Sequence, residues 1–99
     1  MTTKELQARV MENKLAHHWN TTDLNFELLK LYGEVDELFQ AHLHHDQDNF
    51  KEECADVAIY LLGIAEIGDV DLGEAVSEKM ALNVLRKYDS DGQTRLSGK

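Results

Sequence analysis

The 99-residue chain contains no proline. No helix is therefore broken by a missing backbone donor, and each must end by some other device. Cysteine occurs once, at Cys54, which excludes an intramolecular disulfide and gives no sign of an oxidising compartment. Set beside Ala55, Val57 and Ala58, it reads as a small core residue. Basic residues are scarce, ten Lys and Arg against nineteen Asp and Glu, for a formal net charge of -9. This balance argues against direct attraction to nucleic acid or an anionic membrane surface, so an anionic substrate needs a cation or a local basic cluster. Long apolar runs are also missing. The longest, residues 57–65 with Gly63 counted in, is too short to span a bilayer, and "MTTKELQARV" has no signal-peptide core, so the expected location is cytoplasmic.

Strand-like alternation is scarce too, and helical periodicity makes the chain all-α. A first helix is expected over about residues 4–18, with Leu6, Val10 and Leu15 as its apolar stripe. "WNTTD" breaks it, and Thr22 or Asp23 can cap the next helix. There Leu24, Leu28, Leu31, Val35 and Leu38 step by four and three, the seam of a helix packed along its length to about residue 42. Asn49 with Glu52 resembles a capping box opening a third helix to about residue 67, apolar on nearly every side from Cys54 onward. Gly68 is the expected C-cap. Asp71 with Glu74 then opens a fourth helix, carrying Leu72, Val76, Met80, Val84 and Leu85 to about residue 88. Residues 1–88 thus read as one helical domain and 89–99 as a polar C-terminal tail. So short a chain with so apolar a third helix needs further cover, and a second copy is the natural source.

Two acid pairs stand beside this apolar sequence, Glu34 with Glu37 in "GEVDELFQAH" and Glu53 with Asp56 in "KEECADVAIY". A spacing of three sends both carboxylates of a pair from one helix face. Glu27, Lys30, Glu34 and Glu37 alone could form a solvated face opposite the leucine seam. The face of Glu53 and Asp56, however, continues through Tyr60, Gly63 and Ile67, and the neighbours of Asp56 in "CADVAIYLL" imply its burial. A buried carboxylate needs a proton or a cation. Two facing helices would place four carboxylates around one space, a donor set suited to Mg²⁺ or Mn²⁺. Four acids suit two or more ions, which would offer an anionic substrate the positive face this chain lacks.

This arrangement resembles the MazG-like all-α nucleoside triphosphate pyrophosphohydrolases, the superfamily that also holds dimeric dUTPases and phosphoribosyl-ATP pyrophosphatase. Their E-x-x-E, loop, E-x-x-D signature corresponds to "EVDE" at 34–37 and "ECAD" at 53–56, with "ADV" entering an apolar helix and "EKMALNVLRKY" later. The resemblance covers about residues 24–88. It implies a four-helix MazG-like bundle completed by homodimerisation, some relatives forming tetramers, with pockets near the subunit interface. It also implies Mg²⁺ held by Glu34, Glu37, Glu53 and Asp56, with Mn²⁺ as a substitute. The implied reaction cleaves a nucleoside triphosphate between the α and β phosphorus, giving monophosphate and pyrophosphate, for house-cleaning or nucleotide-pool control. Lys79, Asn83, Arg86 and Lys87 are implied near substrate phosphates or sugar; surface pairing for Lys79 and exposure for Asn83 are the alternatives. Many relatives have a double acid where this chain has Gly33 before Glu34, and Glu52 beside Glu53 is a substitute source of that acid. Glycine inside a helix costs up to about 1 kcal/mol, which a close helix crossing would rationalise. Glu37 or Glu53 could accept the proton of the attacking water in metal-assisted hydrolysis.

Other residues invite separate readings. His42, His45 and Asp46 could bind a transition metal, or form a solvated helix end and loop. Trp19 could stack on a nucleotide base or cover the end of the core, while Phe26, Tyr32, Phe39 and Tyr60 read as core or interface. Two other functions compete with hydrolysis. One is a non-catalytic helical interaction module with a residual metal site. The other is a ferritin-like redox bundle, which ranks last because its Glu-x-x-His pairs are missing from "EVDE" and "ECAD".

Overall fold

The computed structural model describes residues 1–87, with side chains to Leu85. Tyr88, the tail 89–99 and the side chains of Arg86 and Lys87 lie outside the described residues. Four helices occur among the described residues: α1 (Thr3–Ala16), α2 (Leu24–Leu43), α3 (Gln47–Ile67) and α4 (Leu72–Lys87). No strand occurs among the described residues, and no helix among them is long and apolar enough to cross a membrane.

Each helix opens on an oxygen that takes an otherwise unpaired N–H. Thr2 and Glu5 form a reciprocal capping box, with Thr2 N donating to Glu5 Oε1 at 2.7 Å and Glu5 N to Thr2 Oγ1 at 3.1 Å. Asp23 accepts from Phe26 N at 3.2 Å, Asp46 from Asn49 N at 3.1 Å and Asp71 from Glu74 N at 3.1 Å. Asn49 is therefore not the start of α3. The carboxylate of Asp46 is the stronger acceptor and begins the helix a turn earlier.

The helix ends supply the stop signals that proline does not. His17, His44 and Gly68 are C-caps, and the residues after them, His18, His45 and Asp69, are left-handed with φ of 59°, 56° and 58°. In each case the next residue donates back a full turn, Trp19 N to Lys14 O, Asp46 N to Ala41 O and Val70 N to Ala65 O, at 2.8, 3.2 and 2.8 Å. This is the Schellman closure, repeated with residues other than glycine in the left-handed position. Gly68 keeps φ at -83°, so its conformational freedom is unused there. His17 and His44 also turn their rings back, Nδ1 lying 2.8 Å from Asn13 O and 2.7 Å from Gln40 O. Both "HH" dipeptides are thus helix-stop devices.

A short turn joins α2 to α3, and the two pack antiparallel: His42 lies beside Phe50 at one end, and Leu24 beside Gly68 at the other. The inward face of α2 runs Leu24, Glu27, Leu31, Glu34, Leu38 and Ala41, while Leu28 and Val35 are half exposed at its edge. Glu27 is only 1% exposed, which overturns its reading as part of a solvated face. The stripe expected on α1 fails similarly. Leu6 and Leu15 are exposed, and the side chains α1 buries are Gln7 and Lys14. Gln7 Nε2 donates to Glu66 Oε1 at 3.1 Å and Val70 O at 2.8 Å, and its Oε1 accepts from Leu72 N at 2.7 Å. α1 crosses α3 at Gly63, where an added Cβ would stand 3.1 Å from Lys14 Cε and 3.4 Å from Val10 Cγ1. α4 packs on α1, with Thr3 against Gly73.

Little apolar surface is enclosed within one chain. Ala41, Leu62 and Ala65 are the buried hydrophobic residues among those described, and Cys54, expected in the core, is exposed. Phe26, Tyr32 and Phe39 are half to three-quarters exposed and are not core either, and Val76, Met80 and Val84 on α4 are also exposed. The radius of gyration is 16.1 Å. A compact domain of about 100 residues has a value of about 13 Å. Gly33 meets nothing within 4 Å, so no close crossing explains it in the single chain.

Two substitution pairs test these assignments by thermal denaturation. His18→Gly and His45→Gly should each add about 0.5–1 kcal/mol by relieving a left-handed non-glycine residue. Gly33→Ala should stabilise by up to about 1 kcal/mol, whereas Gly63→Val should cost about 1–3 kcal/mol by overpacking against Lys14 and Val10.

Candidate functional site

The antiparallel pairing of α2 and α3 brings Glu34, Glu37 and Glu53 together: one carboxylate oxygen from each lies within 4.8 Å of the others. Glu34 is on the inward face, Glu53 is half-buried and Glu37 is exposed. Among the described residues this is the group of three or more acids, histidines or cysteines with ligand spacing. Glu53 Oε1 is buried and has no hydrogen-bond partner there. An acceptor enclosed without a donor is destabilising and uncommon. A divalent cation would complete it, and an all-carboxylate set is what a hard cation selects.

The electrostatics agree with this fit. Desolvation, then the charges of Glu37 and Asp56, push the Glu34 carboxyl above its usual value of 4.5, with Lys30 opposing. Glu53 is raised as well, first by desolvation, then by Glu37, Asp56, Glu34 and Glu52. Tyr60 is raised by desolvation and by Glu34, Glu27, Asp56 and Glu37 in turn. Without a cation the cluster repels itself.

Asp56 is exposed, which corrects the expectation of burial. The strained acceptor that the sequence suggested there is found one helical turn earlier, at Glu53 Oε1. Asp56 instead stands where the acids meet a cleft of about 500 Å³ between α1 and α3. Leu6, Val10 and Ile59 give that cleft its apolar walls, Arg9, Asn13 and Lys14 its polar groups, and Trp19 and Tyr60 its aromatic rings. Trp19 is 55% exposed and stacks on His17 with 4.5 Å between ring centroids, so it lines the cleft and does not seal a core.

The other expected residues lie on α4 and around the α2–α3 turn. Lys79 is half-buried and Asn83 exposed on α4, whose principal packing is on α1. Arg86 has its side chain outside the described residues. His42, His45 and Asp46 line a separate pocket of about 160 Å³, but no group with a histidine reaches ligand spacing among the described residues. Asp46 serves instead as the α3 cap.

A family model described as the MazG nucleotide pyrophosphohydrolase domain matches residues 24–88. The chain belongs to the MazG family. No curated protein and no solved structure gives a significant match. The MazG match takes in α2, α3 and α4, and both acid pairs with them, while α1 and Trp19 precede it. Arg9, Asn13 and Lys14, on the α1 side of the cleft, were not anticipated as functional residues; polar side chains scattered along a helix carry no spacing signal of their own.

The raised carboxyls set a direction for pH dependence. Glu34 and Glu53 hold a proton more tightly folded than unfolded, so this contribution is most favourable below 4.5 and is lost as pH climbs through the raised values. With chelator present, Glu53→Gln should therefore melt increasingly above the parent chain as pH goes from about 4 to about 7. Millimolar Mg²⁺ should reverse that order by stabilising the parent alone, as scanning calorimetry would register.

Proposed function

We propose that the chain is a Mg²⁺-dependent nucleoside triphosphate pyrophosphohydrolase, converting an NTP or dNTP to the monophosphate and pyrophosphate in house-cleaning or pool control. The observation that carries this reading is the unpartnered Glu53 Oε1, buried within reach of Glu34 and Glu37 in a chain of the MazG family. Glu34, Glu37, Glu53 and Asp56 would hold the ions, with Mn²⁺ an acceptable substitute. Bound there, the divalent ions would neutralise phosphate charge and polarise the anhydride under attack.

The chain's own residues supply the remainder. The apolar cleft takes the base and sugar, with Trp19 offering a flat ring for stacking, and Asp56 marks the junction between cleft and acids. Glu37 and Glu53 are the two candidates to accept the proton of the attacking water. Lys79, Asn83 and Arg86 on α4 serve the substrate phosphates or sugar. The exposed apolar residues of α2 and α4, Leu29 at 69% and Tyr32 at 76% among them, are the surface on which a second copy docks to form a homodimer or, by further pairing, a homotetramer.

Pyrophosphate release from a panel of ribo- and deoxynucleoside triphosphates with Mg²⁺ tests the activity. Asp56→Ala and Glu53→Gln should lower it by more than about 100-fold, beyond the loss of a second-shell metal partner. Absence of release from every triphosphate would favour a helical interaction module instead. The melting temperature should rise with protein concentration, and a value independent of concentration would exclude the homodimer.

A further inference from the structure

Among the described residues the most deeply buried charged side chain, Glu27, has no part in the acid cluster. Lys14 Nζ donates to Glu27 Oε1 at 2.8 Å, with side-chain exposures of 11% and 1%. Both partners also reach a single loop residue. Lys14 Nζ donates to the backbone oxygen of Asn20 at 3.0 Å, and Glu27 Oε2 accepts from Asn20 Nδ2 at 3.0 Å. Asn20 in turn organises the loop: its Nδ2 donates to Asp23 O at 2.8 Å, and its Oδ1 accepts from Thr22 N and Asp23 N at 3.3 and 3.0 Å. The ion pair therefore clamps the α1–α2 connection as well as the two helices.

Trp19 is the residue next to Asn20, and its own N–H is held by Lys14 O at 2.8 Å. Lys14 thus grips the chain on both sides of the tryptophan, through its backbone oxygen before it and its side chain after it. The ring projects along the cleft shared with Asp56, Ile59 and Tyr60. Burying two charges is costly, and an apolar pair of similar size is often as stable or more so. Stability alone gives no reason for this arrangement. Fixing a half-exposed aromatic wall beside the acids does.

From this we infer that Lys14, Glu27 and Asn20 are positioning residues that hold Trp19 ready as the stacking wall for the base of a nucleotide. The inference rests on the nucleotide reading above for the identity of the ligand, but its mechanical part does not. Asn20 is the informative position, because it does not line the cleft and its loss cannot remove a ligand contact directly. A loop that holds the competent arrangement only about a tenth of the time weakens apparent affinity about tenfold.

The experiment compares the parent chain with Asn20→Ala and with the volume-conserving double variant Lys14→Met, Glu27→Leu. Trp19 is the only tryptophan, so its anisotropy and acrylamide quenching report on the wall without any nucleotide. Both variants should keep the Mg²⁺-induced rise in melting temperature while Trp19 becomes more mobile and more accessible. In the triphosphate assay the KM of Asn20→Ala should rise about tenfold with kcat nearly kept. Unchanged anisotropy and quenching in folded Asn20→Ala would overturn the inference, as would altered Trp19 with unchanged KM. If the double variant does not fold, Asn20→Ala alone decides. A parent chain that takes no triphosphate would instead sink the pyrophosphohydrolase reading, leaving the Trp19 measurements to judge the clamp by themselves.

Discussion

The ion pair between Lys14 and Glu27 is the contact on which α1 depends. Without an apolar stripe to bury, α1 is held by polar groups at two points, Lys14 near its C-terminal end and Gln7 near its N-terminal end. Such a pair is favourable only where geometry is good and the remaining donors and acceptors are filled. Both conditions are met through Asn20, which takes up the second oxygen of Glu27 and offers an oxygen to Lys14. The C-terminal part of α1, with Lys14 and the Trp19 side of the cleft, follows from that closure.

Polar groups inside are matched by apolar groups outside. The inward face of α2 carries Glu27 and Glu34 among its leucines, while Phe26, Leu29 and Tyr32 lie toward solvent. Two glutamates a heptad apart on one packed face thus have different partners. Glu27 has a lysine and an asparagine, whereas the charges that raise Glu34 are the carboxylates of Glu37 and Asp56, with Lys30 opposing. One site is neutralised within the chain, and the other would gain from a bound cation.

Much of this was legible in the sequence, and the failures have physical reasons. Helical class, the four segments and the Asp23 cap follow from periodicity and capping chemistry, and of the four acids in the E-x-x-E and E-x-x-D spacing Glu34, Glu37 and Glu53 lie at ligand spacing while Asp56 is not in that group. Burial was harder. Glu27 read as solvated and Asp56 as buried because the type of a residue and its immediate neighbours stood in for the face it presents. The true seam of α2 is displaced from the leucine pattern, so Leu28 and Val35 sit at its edge. Gln7 and Lys14 were invisible for a related reason, since long polar side chains usually mark a surface and only tertiary partners separated by many residues reveal otherwise. His42 and His45 drew attention as ligands, yet His45, like His18, stands in the left-handed position that closes a helix.

Gln7 donates twice and accepts once, to three groups on both sides of the α3–α4 turn. An amide is the side chain of that length that can do so; a glutamate there would present its charge to Glu66 and lose both donors. Glutamine and glutamate codons differ by a single base. The heading of α4 therefore hangs on one nucleotide of the coding sequence, at a position that no inspection of the acidic motifs would mark as vulnerable.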